Sequence, residues 1–156
     1  MSNPNSTAIF ESDTIEIIAF RLHDQEFCVK TTTIREIRGW APSTPIPHSP
    51  KDVIGVMNLR GTVIPIIDLA SKLGLPSSST NERSAIVVTE VGGMVIGILV
   101  DQVSDILTVK ASDLQPAPEV TTSFDRAFTE GIITRENGMI CFLNMDAMFR
   151  EHLAAA

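Results

Sequence analysis

Residues 55–69 read Gly55-Val56-Met57-Asn58-Leu59-Arg60-Gly61-Thr62-Val63-Ile64-Pro65-Ile66-Ile67-Asp68-Leu69, two β-rich runs on either side of an Asn58-Leu59-Arg60-Gly61 reversal. A glycine-bearing turn between two such runs is a β-hairpin signal. Gly61 supplies the positive φ that such a turn favours, and Leu59 and Arg60 ride at the tip, one apolar and one permanently charged. Arg60 reads either as a solvated turn residue or as part of a surface that meets another protein. Leu59 either shares that surface or folds back over a barrel end.

Upstream, Ile15–Leu22 and Glu26–Lys30 flank a His23-Asp24-Gln25 turn and form a second hairpin. Thr31–Ile37 is expected as a short helix, capped by Thr31 or Thr32, with Ile34 and Ile37 on one face. Pro42, Pro45, Pro47 and Pro50 then exclude regular structure except short edge segments. Asp68–Leu73 is expected as one helical turn, followed by a loop at Leu75–Ser84.

The second half of the chain repeats this plan. An offset of 69 places Ile17 on Ile86, Leu22 on Val91, Phe27 on Ile96, Ile34 on Val103, Glu36 on Asp105 and Ile37 on Ile106. An offset of 76 places Gly55 on Gly131, Ile64 on Ile140, Ile66 on Phe142, Leu69 on Met145 and Leu73 on Phe149. The order of elements is kept, so the chain reads as an internal duplication. Each copy alone holds too few strands for a comfortable core, so the copies are expected to pack on each other. Many short strands with Gly and Pro turns imply two small barrels or sandwiches, with the connection near 76–82 and a groove along their seam. A terminal helix over Asn144–Leu153, with Met145, Met148, Phe149 and His152 at helical spacing, is expected to cover a barrel end or the seam. Residues 1–12 read as a flexible arm.

At 156 residues with 44% hydrophobic side chains, the chain has enough apolar material for a core. Twelve Lys and Arg against 19 Asp and Glu give a net charge of -7, which disfavours nucleic acid and anionic membrane as partners. No apolar run approaches the ~20 residues of a spanning helix. Cys28 and Cys141 belong to no CxxC pair and read as buried free thiols, which, with an N-terminus lacking a signal sequence, points to the cytoplasm.

Chemistry is absent from the local motifs. His23, His48 and His152 show no metal-ligand spacing, and no nucleophile elbow, phosphate loop or dinucleotide turn occurs. Asp101 and Asp105, four apart, could face one way on a helix, but capping and solubility explain them. Glu36, between Arg35 and Arg38, has the makings of exposed ion pairs. No catalytic residue, metal ligand or cofactor is expected.

With EIRGW before the central hairpin, and VIGILVDQVSDIL and LQPAPEV after it, the chain resembles the CheW-type coupling proteins of bacterial chemotaxis from Ile15 to about Leu153. The resemblance implies an all-β fold of two intertwined five-stranded SH3-like barrels in a single 15–153 domain. It implies a non-catalytic cytoplasmic adaptor, recruited to receptor arrays, that joins chemoreceptor hairpin tips to the regulatory domain of the histidine kinase CheA. Carried over by position, Ile34, Glu36, Arg60, Val103 and Ile106 would form the receptor groove. Gly55 and Val63 would serve kinase docking, and Gln115 and Val120 would lie where adaptor and kinase, or other CheW-like domains, join in rings. Related sequences can carry an arginine and a phenylalanine at those last two positions. A CheW-like scaffold of another receptor-kinase or motility pathway, or a small-ligand-binding β-barrel, are the alternative readings.

Overall fold

The computed structural model describes residues 13–77, 80–116, 128–136 and 138–149. The expected arm (1–12), Val120 and the end of the expected terminal helix (150–153) lie outside the described residues. In chain order the elements are β1 (Thr14–Leu22), β2 (Gln25–Lys30), β3 (Ile34–Gly39), β4 (Val53–Leu59), β5 (Thr62–Asp68), α1 (Leu69–Lys72), β6 (Ala85–Val91) and β7 (Met94–Val100). There follow β8 (Gln102–Lys110), β9 (Leu114–Gln115), β10 (Thr129–Arg135), β11 (Gly138–Leu143) and α2 (Met145–Met148).

Two sheets result. Sheet A has the order β8-β1-β2-β11-β10-β9 and sheet B the order β3-β6-β7-β5-β4. Removing β9, which is two residues long, leaves two five-stranded sheets whose orders map onto one another through the sequence repeat. Ile18 pairs with Ile106 in sheet A as Val87 pairs with Ile37 in sheet B. Phe142 lies beside Cys28 as Ile66 lies beside Gly97, both in parallel pairs. The extra strand has a counterpart too, since Thr44 bridges Val56 in sheet B as Gln115 pairs with Ile132 in sheet A.

The copies are interleaved. β1 and β2 join β8, β10 and β11, whereas β6 and β7 join β3, β4 and β5. Residues 76–82 therefore lie between α1 and β6 without marking a boundary between the two sheets. Within each barrel, β-branched alternation sends one face to a private interior. Ile17, Ala19, Cys28, Ile133, Ile140 and Phe142 fill barrel A, and Leu59, Ile64, Ile66, Ile86, Val88 and Leu99 fill barrel B. The opposite faces of β1, β2, β6 and β7 meet in a third, larger core with Phe20, Phe27, Val87 and Ile98. Strands buried on both faces read as near-continuous apolar runs, which is why Ile17–Phe20 and Ala85–Val88 show no polar alternation.

The two one-turn helices plug this shared core from symmetric positions, α1 with Leu69 and Leu73, α2 with Met145, Met148 and Phe149. Each is capped alike. Asp68 Oδ1 accepts from the Ser71 amide at 3.4 Å and Asn144 Oδ1 from the Ala147 amide at 3.1 Å. The described portion of the expected terminal helix is thus a single turn, and it does cover the seam.

Bulges recur at matching places. β4 shifts register between Val53 and Gly55, and β10 between Thr129 and Gly131. At both glycines a Cβ would lie 2.4 Å from a carbonyl oxygen, that of Thr44 beside Gly55 and that of Gln115 beside Gly131. Glycine is what lets each edge segment strap onto its barrel. Gly55→Ala is accordingly expected to cost about 1–3 kcal/mol by overpacking, measured by urea unfolding. Gly39→Ala, where a Cβ meets nothing within 4 Å, should leave the midpoint nearly unchanged.

Candidate functional site

β3 begins where a helix is expected. Only Thr31–Thr33 make a 3-10 turn, with Thr33 Oγ1 donating to the Lys30 carbonyl at 2.8 Å, and Ile34–Gly39 then run as a strand against β6. A run of four β-branched residues stiffens χ1 and disfavours further helix, and the free edge of β6 offers a ladder instead. Asp101 and Asp105 do not share a helix face either, because β8 occupies residues 102–110. The Asp101 carboxylate instead accepts from the His23 amide at 2.6 Å, and His23 Nε2 lies 2.7 Å from the Pro76 carbonyl. The β1–β2 turn is thereby tied to the start of β8.

A bulge between Ile34 and Glu36 lets Ile34 pack against the shared core while Glu36 stands half-buried at the strand edge. The matching bulge where β1 pairs with β8 does the same for Val103, which packs on that core from the other copy. Ile34 and Val103 are thus symmetry mates on the margins of one apolar mass. Ile106 is not among its members, being 62% exposed on β8.

The tip of the β4–β5 hairpin resolves the two readings of Leu59. Leu59 turns into the barrel interior, and Arg60, at φ 51, is exposed. Gly61 follows at φ 91, its amide donating to Asn58 Oδ1 at 2.8 Å. The Arg60 guanidinium donates to the Glu36 carboxylate, whose second oxygen lies 3.6 Å from Arg38. β3 and β4 stand at opposite ends of sheet B, so this ion pair also shows that the sheet has rolled closed. Sequence reading singled out Glu36 and Arg60 but not their pairing; of the two arginines it placed beside Glu36, Arg38 pairs with it and Arg35 with Glu90.

Among the described residues barrel A shows no such clasp. The positions equivalent to Glu36 and Arg60 are Asp105 and Glu136, two acids. Between β8 and β10 lies an open groove of about 570 Å³ over Leu107, Val109 and Ile133, rimmed by Lys110, Asp113, Arg135 and Glu136. The pseudo-symmetry is therefore broken in charge at the place where barrel B carries its ion pair.

The Arg60 hydrogen bond, with added attraction from Arg60 and Arg38, holds the Glu36 carboxyl below its ordinary value, and Glu36 raises that of Arg60 in return. A depressed carboxylate contributes stability that is present above its unfolded pKa and lost as pH falls through its folded pKa. The pair should therefore persist unchanged from neutrality down to about pH 5, since the unperturbed value is about 4.3. An NMR titration of the Glu36 side chain is expected to show a midpoint below that value, moved upward by Arg60→Gln.

The remaining expected residues are dispersed. Gly55 is buried under Thr44, so it acts through the backbone path it permits. Val63, 63% exposed, sits on the outer face of β5 opposite Asn58, close to the Val56–Pro65 pair and with exposed Ile54 on the same strand as Val56. Gln115 is exposed on β9. The thiols are free. Cys28 lies in the interior of barrel A, Cys141 is half-buried toward the shared core, and burial raises both pKa values. Among the described residues no cluster could hold a metal, and no helix is long and apolar enough to cross a membrane.

A family model described as the CheW-like domain matches residues 16–152, nearly the whole interleaved fold. The chain belongs to the CheW family. It is 49% identical over 134 residues to the chemotaxis protein CheW of Rhizobium meliloti (strain 1021), covering 86% of each chain. It is 50% identical over 136 residues to the probable chemotaxis protein CheW of Rhizobium etli, covering 87% of this chain and 88% of that one. The crystal structure of the scaffolding protein TtCheW from Thermoanaerobacter tengcongensis superposes with a TM-score of 0.80 at 30% identity, over 86% of this chain and 87% of that one. Two SH3-like barrels are thus the family's architecture as well as this chain's. As a CheW-family protein, the chain is a chemotaxis coupling adaptor.

Proposed function

We propose that this adaptor grips the cytoplasmic hairpin tip of chemoreceptors along the junction of its barrels while the outer face of β4–β5 holds the regulatory domain of CheA. It does so without catalysis of its own, in the cytoplasm, and is recruited to membrane-associated receptor arrays. The observation that carries this reading is the placement of Ile34 and Val103 on the margin of one shared core, with the Glu36–Arg60 pair beside Ile34. Ile106, exposed on β8, extends the apolar surface. An apolar floor with a charged rim suits an amphipathic helical tip, the apolar residues supplying affinity and the charges fixing register.

On the kinase side, Val63 is a large exposed apolar residue on the β4–β5 hairpin, which is where an interface anchor is expected. Gln115 and Val120 would add contacts to neighbouring domains in a ring. Holding two partners raises their effective concentration for one another. Transmitting a signal requires more, namely contacts that differ in free energy between the receptor's two states.

The test is titration calorimetry with purified receptor tip and CheA regulatory domain, separately and together. Both should bind, and at once. Absence of binding to either at micromolar concentration would remove the reading. Val63→Glu is expected to weaken CheA binding about tenfold or more while leaving receptor affinity unchanged, which would establish two separate surfaces.

A further inference from the structure

Each sheet is completed across the repeat. The ladders β1–β8, β2–β11, β3–β6 and β5–β7 all join residues 13–77 to residues 80–149. The large shared core is also built from both, Phe20, Phe27, Leu69 and Leu73 on one side and Val87, Ile98, Met145 and Phe149 on the other. Without its complement, each piece would leave β1, β2, β3 and β5, or their mates, with unpaired ladder edges and half a core. The covalent connection, residues 74–84, is long by comparison with a hairpin turn and contributes no strand among its described residues. At its start the Gly74 and Leu75 amides donate to the Ser71 and Ala70 carbonyls and Leu75 packs on the shared core, at its end the Ser84 carbonyl accepts from the Trp40 amide, and between them the His23 ring meets the Pro76 carbonyl.

We infer that the two pieces are held to one another by pairing and burial rather than by their connection, so that a second copy of this chain can supply either piece. The partner is therefore chemically defined: another molecule's complementary half, taken up by the same ladders. In a half-exchanged dimer the ladders and the shared core survive as intermolecular contacts, and the change falls on the connection between the pieces. Exchange is then limited by the opening of the shared core and favoured by concentration.

The test uses two full-length preparations, both with a protease site within residues 77–80. One carries an N-terminal tag; the other is untagged and labelled with heavy nitrogen. They are unfolded together, refolded at several concentrations from micromolar to submillimolar, and cleaved. The tag is then captured and the attached C-terminal piece weighed by mass spectrometry. Preparations refolded separately and mixed just before cleavage give the background. The inference expects the tagged piece to retain a C-terminal piece after cleavage, and the heavy form to rise toward one half with concentration. Capture of light pieces alone at every concentration would overturn the exchange. Loss of all C-terminal pieces on cleavage would overturn the mutual holding itself. If refolding from denaturant aggregates, the same measurement follows co-incubation of the native proteins just below their melting temperature, with the same two contrary results.

Discussion

Phe149→Ala is expected to cost about 3–5 kcal/mol of folding stability, the range for removing a large aromatic ring from a close-packed core. Phe149 is fully buried at the end of α2, and the Lys72 ammonium of α1 lies 5.5 Å from its ring centre. The core it enters is built from both copies of the repeat, so the cavity would be shared by both barrels. Urea unfolding should therefore shift as one transition. The fluorescence of Trp40, beside β3, and the methyl resonances of Ile133 and Ile140, inside barrel A, should report the same midpoint. Separate midpoints would mean that each barrel carries its own stability and that the third core is only a contact.

The second large effect is on binding. Glu36→Arg would place three guanidinium groups together, with Arg38 and Arg60, where the native site has a carboxylate between two cations. Receptor-tip affinity should fall at least about tenfold through lost register and like-charge repulsion. Arg60 is exposed and Glu36 is only half-buried at the strand edge, so the melting temperature should change little. Adding Arg60→Glu, which restores an opposite-charge pair in reversed order, should recover thermal behaviour fully and binding only partially. Full recovery of affinity would show that the charges merely hold the barrel shut.

Much of the architecture was readable in the chain because β-branched runs and turn glycines are local. Gly61 marks a hairpin turn by itself, and the two offsets relating Ile37 to Ile106 and Leu73 to Phe149 survive in the fold as equivalent positions. Which copy pairs with which was not readable from the repeat, which says what is alike and not what is adjacent; only the family resemblance implied intertwined barrels. The Thr31–Ile37 helix failed because the edge of β6, far away in sequence, decides the conformation of Ile34–Gly39. Leu59 was ambiguous for a similar reason: whether a tip residue turns inward depends on the interior that Ile86, Val88 and Leu99 build from the other copy. The Glu36–Arg60 pair spans 24 positions and closes a barrel, and no spacing rule contains it. The acids Asp105 and Glu136, by contrast, become informative only once the repeat is aligned and their counterparts are seen to be a salt bridge.

The most direct examination of a grip along the barrel junction is an amide and methyl chemical-shift map of the isotope-labelled chain titrated with a receptor-tip fragment. The largest shifts are expected at Ile34, Glu36, Arg60, Val103 and Ile106, drawn from both copies and saturating together. Shifts confined to one barrel, for instance to the groove between β8 and β10, with Ile34 and Val103 unmoved, would contradict it.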